Sequence, residues 1–142
     1  MGNRDSPERR PVAIGVDFGT ESGRVLVLDL HDGAELAVES VSYPHGVLDR
    51  TLPNGEELAP DWALQHPADW LDVVRRGTPA ALAAAGCDPR RVVGLGVDFT
   101  SCTVLPTLAD GTPLCLVDGW ANRPHAWPKL WKHHSAHRSP TA

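Results

Sequence analysis

The sequence predicts an α/β protein, and three observations support this class. Apolar runs separated by turn residues predict three antiparallel strands near the amino terminus. A segment with an apolar stripe at helical spacing follows them, and a further apolar run comes after that segment. Strands, a helix, then further strands and a helix make an order that is typical of the α/β class.

The first three strands are predicted at residues 12–16, 24–30 and 36–43. The first run suits a strand buried on both faces, and a turn beginning at Asp17 follows it. β-Branched residues and leucines fill the second run, which the turn residues His31, Asp32 and Gly33 close. Strands joined in this order by short turns form an antiparallel meander.

The middle of the chain combines an irregular loop with a helix. Residues 44–65 contain three prolines and predict a long irregular segment, although Trp62 and Leu64 favour docking onto a core. Pro67 suits the first turn of a helix. Residues 77–79 interrupt this helix, which predicts either two short helices or one kinked helix. Thr78 is expected to cap the second half, which ends before residue 86.

Three more elements are predicted towards the carboxyl terminus. Residues 92–97 read as another buried strand. Residues 103–108 and 114–117 flank a turn at 109–112 and predict a β-hairpin. Residues 124–134 are aromatic and basic, and a helix is expected there.

Composition limits the class of protein. With 13 basic and 18 acidic residues among 142, the formal net charge is −5, which argues against binding to nucleic acid. No apolar run reaches the ~20 residues that span a bilayer, so no membrane partner is expected. The chain has three cysteines, at positions 87, 102 and 115, which are widely spaced. This odd number and spacing argue against a disulfide framework and favour a cytoplasmic location.

The length suffices for one folded domain, which is expected at residues 12–137. A polar leader at residues 1–11 is predicted to be disordered, and residues 138–142 form a separate tail.

A motif that can carry chemistry lies between the first two strands, with the sequence DFGTESGR at residues 17–24. Asp17 ends a strand, where a carboxylate can hold a metal ion or its water shell. Gly19 and Gly23 are expected to adopt positive φ and to let the backbone approach an anion. An ordinary hairpin turn explains the same residues, so phosphate binding and a plain turn stay open as alternatives.

A second segment echoes this motif. Residues 14–20 read IGVDFGT and residues 95–100 read LGVDFT, so each strand delivers an aspartate and a hydroxyl residue at its carboxyl end. Ligands of such sheets lie outside the carboxyl ends of the strands. Asp17 and Asp98 are therefore candidates for one cleft, with coincidence as the alternative.

Four segments together resemble the FGGY carbohydrate kinases and, within that family, its ribulokinase branch. They are DFGTESGR at 17–24, PDWALQHP at 60–67, GVDFTSCT at 96–103 and LWKHH at 130–134. The resemblance covers about residues 12–134 and implies the actin-like, hexokinase-like (ribonuclease H-like) ATPase fold, of which this chain would be the N-terminal part. It also implies ATP-dependent phosphorylation of the terminal hydroxyl of L-ribulose, in L-arabinose breakdown.

The resemblance assigns residues to the two sides of a cleft. The side of ATP and magnesium would comprise Asp17, Gly19, Thr20, Ser22 and Arg24. Asp17 would act on the magnesium ion indirectly. The sugar side would comprise Asp98, Thr100, Ser101, Trp131 and Lys132.

The family is far longer than this chain, and the resemblance puts its catalytic base beyond residue 142. No catalytic residue is therefore expected in the chain, and negligible kinase activity is expected of it alone. Residues 138–142 do not resemble the family. Two alternatives remain: a kinase for another ketopentose such as D-ribulose, and a remnant that binds phosphate or sugar without turnover. No oligomeric state is predicted.

Overall fold

The computed structural model describes residues 10–135, which fall into two compact units. Unit one comprises residues 10–43 and 70–99, and unit two comprises residues 44–69 and 100–135. Most of the predicted leader (residues 1–9) and the predicted tail (138–142) lie outside the described residues. No helix within residues 10–135 is long and apolar enough to cross a membrane.

Unit one contains a four-stranded sheet in the order β3-β2-β1-β4. Its strands are β1 (Val12–Phe18), β2 (Ser22–Asp29), β3 (Glu35–Ser42) and β4 (Val92–Phe99). The predicted antiparallel meander of β1, β2 and β3 is confirmed, and β4 runs parallel to β1. A parallel neighbour needs a long crossover connection, and residues 43–91 supply it.

The helix of this crossover contains a π-helical turn. α1 (Pro67–Asp72) leads into the π-helical segment Val73–Gly77 and then into α2 (Thr78–Ala84). Pro67 begins the helix as predicted. The prediction that Thr78 caps a second helix is wrong, because its backbone is helical (φ −63°, ψ −51°) and its buried hydroxyl has no hydrogen-bond partner among the described residues.

The core of unit one lies between this helix and one face of the sheet. Successive side chains of a strand point to opposite faces, which is why Val12, Ile14 and Val16 of β1 are at most 4% exposed. Gly77 allows the helix to lie close to the sheet, since a Cβ there would be 2.8 Å from Cγ2 of Val25. The glycine that interrupts the sequence pattern therefore serves helix packing.

β4 contradicts the prediction of a buried strand. The side chains of Val93, Leu95, Val97 and Phe99 are 54–66% exposed. β4 is the edge of the sheet, and no element within residues 10–135 covers these side chains fully. Apolar character predicts that a strand can be buried, whereas burial itself depends on a covering layer.

Unit two has little regular structure, as predicted for residues 44–65. Leu64 is fully buried at its centre, with Leu52 and Trp127 at most 3% exposed beside it. Trp62 packs against the same cluster, so the predicted docking of this loop onto a core is confirmed.

The hairpin predicted at residues 103–117 is wrong. The turn is present, but it carries a single bridge between Thr107 and Pro113, and Leu114–Leu116 is a 3₁₀ turn. Pro106 and Pro113 have no N–H to donate to a strand ladder, which accounts for the missing strands.

The helix predicted at residues 124–134 is also wrong, since Pro124–Ala126 forms only a 3₁₀ turn. Pro128 biases the residue before it towards extended backbone, and Trp127 accordingly has φ −90° and ψ 153°. Lys129 then exchanges two backbone hydrogen bonds with Val104, at 3.0 and 3.2 Å.

Candidate functional site

Two carboxylates lie side by side at the carboxyl ends of β1 and β4. Asp17 is opposite Asp98 in the parallel pairing of these strands, so both side chains project from one face of the sheet. They line a concavity of about 330 Å³, together with Gly15 and Gly96. The echo between residues 14–20 and 95–100 thus corresponds to neighbouring strands that deliver two aspartates to one concavity.

Arg24 forms an ion pair with the first of these carboxylates. Its Nη2 lies 2.9 Å from Oδ2 of Asp17, its partner in the antiparallel pairing of β1 and β2. The side chains are 62% and 40% exposed, respectively, so solvent screens the pair and it adds little to stability. An exposed guanidinium of this kind can leave the carboxylate and bind a phosphate group when one approaches.

The turn between β1 and β2 differs from its prediction. The prediction of positive φ at Gly19 and Gly23 is wrong, since neither glycine has a positive φ. The Gly19 amide donates a hydrogen bond to the carbonyl oxygen of Ser22 (2.9 Å), and a Cβ on Gly19 would lie 2.8 Å from that oxygen. Glycine is needed at residue 19 because the turn is tight, and its amide is used within the turn. Thr20 in this turn and Ser22 at the start of β2 are half-buried.

Gly23 is required by the packing of the helix. A Cβ on Gly23 would lie 2.5 and 2.7 Å from the two methyl carbons of Val73, a core residue of the π-helical segment. Real Cβ atoms do not approach other atoms so closely, so the second glycine of the motif fits the helix and not an anion.

We expect Gly23→Ala to destabilise the protein by about 1–3 kcal/mol, because the added methyl group overpacks the contact with Val73. Chemical denaturation measures this loss. Gly94→Ala is the matched control, since a Cβ on Gly94 meets nothing within 4 Å among the described residues. Val73→Ala shortens the side chain that the new methyl group meets. The double variant is therefore expected to lose less unfolding free energy than the sum of the two single variants. A loss equal to that sum would contradict the contact.

The residues assigned to the sugar divide between the two units. Asp98 belongs to unit one, and unit two contains Thr100, Ser101, Trp131 and Lys132. Oγ1 of Thr100 lies 2.8 Å from Oγ1 of Thr103, which fixes the loop after β4. Ser101 and Trp131 are exposed, and Lys132 is half-buried. The structure therefore brings Asp17, Arg24 and Asp98 together in unit one. The other residues assigned to the sugar belong to unit two.

One cluster of titratable residues has no counterpart in the predicted site. In unit two, Nδ1 of His45 lies 2.6 Å from Oδ1 of Asp69, and the His45 ring stacks on that of His66 at 3.9 Å. Loop residues 46–65 separate the two histidines in sequence and carry no periodic pattern. The signal in the sequence is Pro67, which favours the first position of a helix and so places His66 at the capping position.

This cluster is poorly arranged for a metal ion. The ligand atoms of His45, His66 and Asp69 lie within 4.8 Å of one another. The two imidazole planes are nearly parallel (13°), whereas a metal ion lies in the plane of each ring that binds it at about 2.0–2.1 Å. One ion cannot lie in two planes stacked at this distance, so the cluster needs another explanation.

Two solved structures that are similar to this chain are those of sugar kinases. A xyloylose kinase from Brucella ovis matches 89% of this chain and 22% of its own with a TM-score of 0.66 and 19% sequence identity. A xylulose kinase from Rhodospirillum rubrum matches 87% of this chain and 21% of its own, with a TM-score of 0.61 and 23% identity. This likeness is one of fold, and it confirms the predicted α/β, actin-like ATPase fold.

Sequence relatives narrow the resemblance. The chain is 52% identical over 124 residues to the ribulokinase of Geobacillus thermodenitrificans and 55% identical over 125 residues to that of Mycolicibacterium smegmatis. Each match covers 87% of this chain, and the chain spans 22% of the length of either relative. No protein-family model matches it. The resemblance to ribulokinases predicted from the motifs is confirmed over this part of the chain.

Proposed function

We propose that this chain forms the part of an ATP-dependent ribulokinase that holds the phosphates of ATP and borders the sugar. The main support for this proposal is the pairing of Asp17 with Asp98 beside Arg24, in a chain that is 52% identical to a ribulokinase over 124 residues. The proposed sugar is L-ribulose, which the resemblance links to L-arabinose breakdown. We also propose a cytoplasmic location, which the odd number and wide spacing of the three cysteines favour.

The residues of the concavity suit magnesium-bound phosphates. Mg²⁺ prefers oxygen ligands and keeps several of its waters, so the partly exposed carboxylate of Asp17 fits a magnesium ion held through its water shell. When bound, magnesium neutralises charge on the phosphate groups. Arg24 would donate hydrogen bonds to a phosphate oxygen in place of Asp17. Hydroxyl groups from Thr20 and Ser22 and the close turn at Gly19 complete the proposed phosphate side.

The sugar side is proposed to begin on the neighbouring strand. Asp98 lies one strand spacing, about 4.8 Å, from Asp17. Its Oδ1 accepts a hydrogen bond from the Phe99 amide (2.8 Å), which orients the carboxylate. Transfer of a phosphoryl group needs its acceptor within about 3–3.5 Å. The position of Asp98 beside Asp17 supports this assignment, because it would place the sugar hydroxyl next to the phosphate. The other proposed sugar contacts are Thr100, Ser101, Trp131 and Lys132.

The general base that takes the proton of the sugar hydroxyl is proposed to lie outside these 142 residues. Phosphoryl transfer depends on groups positioned on both sides of a closing cleft. The 142-residue chain alone is therefore expected to bind ligands weakly and to turn over none.

Calorimetry of the 142-residue chain with magnesium–ATP and with L-ribulose tests this proposal, together with a coupled assay of ADP release. We expect weak binding of magnesium–ATP, its loss in Asp17→Asn, and no turnover. Asp49→Asn, at an exposed carboxylate of unit two, is the control and is expected to bind as the unsubstituted chain does. Absence of any nucleotide binding would contradict the phosphate site, and rapid L-ribulose-dependent release of ADP would contradict the external base.

A further inference from the structure

His66 caps the start of α1 with its side chain. Its Nδ1 accepts a hydrogen bond from the Ala68 amide (3.2 Å), and its carbonyl oxygen accepts one from the Asp69 amide (3.1 Å). A ring nitrogen that accepts a hydrogen bond carries no proton, so the imidazole is neutral and its proton is on Nε2. The cap therefore exists only while His66 is neutral.

The surroundings of His66 favour this neutral form. Burial lowers the pKa of His66 below its ordinary value, and a positive charge on the neighbouring His45 lowers it further, while Asp69 acts in the opposite direction. The ring of Trp127 contacts the imidazole edge-on, at 5.2 Å between centroids. A positive charge is also unfavourable beside the unpaired amides at the start of a helix.

Two further titratable groups share a cavity of about 340 Å³ with His66. They are Cys115 and Asp118. Burial raises the pKa of the Cys115 thiol to about 11, so this group stays neutral over the range in which histidines titrate. Among residues 10–135, the groups named here that can carry charge beside His66 are His45, Asp69 and Asp118.

The same cluster fastens the loop between β3 and α1. Asp69 is 2% exposed, and its Oδ2 accepts a hydrogen bond from the His45 amide (3.2 Å) while its Oδ1 contacts the His45 ring. The start of the loop is thus attached to a buried carboxylate in the first turn of α1. Whatever loosens this turn also loosens the attachment of the loop.

We propose that His66 is a proton-sensitive cap, and that its protonation frees the first turn of α1 and detaches the loop at His45. The unfolded chain takes up the proton first as the pH falls, because the folded-state pKa of His66 is the lower of the two. This contribution to stability is complete above about pH 6.5 and decreases below it, by up to about tenfold in the folding equilibrium constant per pH unit, until the folded-state pKa is reached.

Nuclear magnetic resonance of the 142-residue chain tests the cap directly. We expect the His66 ring to carry its proton on Nε2 and to titrate with a midpoint below 6.5. Hydrogen exchange at the amides of Ala68 and His45 is expected to accelerate with the same midpoint. A proton on Nδ1, a midpoint at or above the ordinary value, or exchange that ignores the titration would each overturn the proposal.

His66→Asn separates capping from titration, since asparagine is a good helix cap that does not titrate in this range. We expect the variant to keep its stability at pH 8 and to lose about one proton's share of the pH dependence below pH 6.5. His31→Asn, at an exposed histidine in the turn after β2, is expected to keep the unsubstituted slope. Equal slopes for the unsubstituted chain and His66→Asn would refute the cap; if this variant does not fold, the titration of the unsubstituted chain decides alone.

Discussion

Asp17→Asn is expected to lower kcat by about 100-fold or more in a kinase chimera, because loss of one preorganised charge contact with a transferring group has this effect. In the chimera, this chain replaces the matching segment of the Mycolicibacterium smegmatis ribulokinase, to which it is 55% identical over 125 residues. Asparagine keeps the size of the side chain and removes the carboxylate beside Arg24. A coupled assay of ADP release with L-ribulose as acceptor measures the rate.

The same chimera carries the control for charge alone. Asp49→Asn removes an exposed carboxylate of unit two and is expected to leave kcat unchanged. Circular dichroism establishes that both variants are folded before their rates are compared. An unreduced rate in folded Asp17→Asn would contradict the proposed phosphate side.

Leu64→Ala is expected to destabilise the chain by about 2–5 kcal/mol, because it removes a fully buried side chain and leaves a cavity. Leu64 also exchanges two backbone hydrogen bonds with Leu48 (2.9 Å each), so the core and the loop meet at this residue. Denaturation followed by tryptophan fluorescence measures the loss of unfolding free energy, since Trp127 packs in the same cluster.

Leu108→Ala is the matched control for this core. Leu108 is an exposed leucine of unit two, and its truncation is expected to change stability by at most about 0.5 kcal/mol. Equal losses in the two variants would show that unit two has no packed centre at Leu64.

The parts of the fold that depend on local pattern could be predicted from the sequence. The meander follows from apolar runs and turn residues. Pro67 starts the helix because the N–H that proline lacks has no partner in the first turn of a helix. The prediction of a strand at β4 is confirmed, and the prediction that this strand is buried is wrong. Burial depends on the neighbouring elements that cover a strand, and the sequence of the strand does not reveal them. Pro113 has no N–H to donate to a strand ladder, and Pro128 disfavours helical backbone at the residue before it, which is why a hairpin and a helix do not form.

The candidate site was predictable where it lies on regular strands. Asp17 and Asp98 end two runs of similar sequence, and strand pairing brings them together. The role of Gly23 could not be predicted, since it depends on Val73, fifty residues further along the chain. The contact between His45 and Asp69 could not be predicted either, because the irregular loop between them has no periodic pattern that indicates it.

The rate at which the unsubstituted chimera phosphorylates L-ribulose with ATP tests whether this chain holds the phosphates of ATP and borders the sugar. If this chain holds the phosphates and borders the sugar, kcat/KM stays within about tenfold of the parent ribulokinase, a difference of about 1.4 kcal/mol in the barrier. L-Ribulose is then also preferred to D-ribulose. A folded chimera without kinase activity would contradict the claim, and a preference for D-ribulose would contradict the proposed substrate.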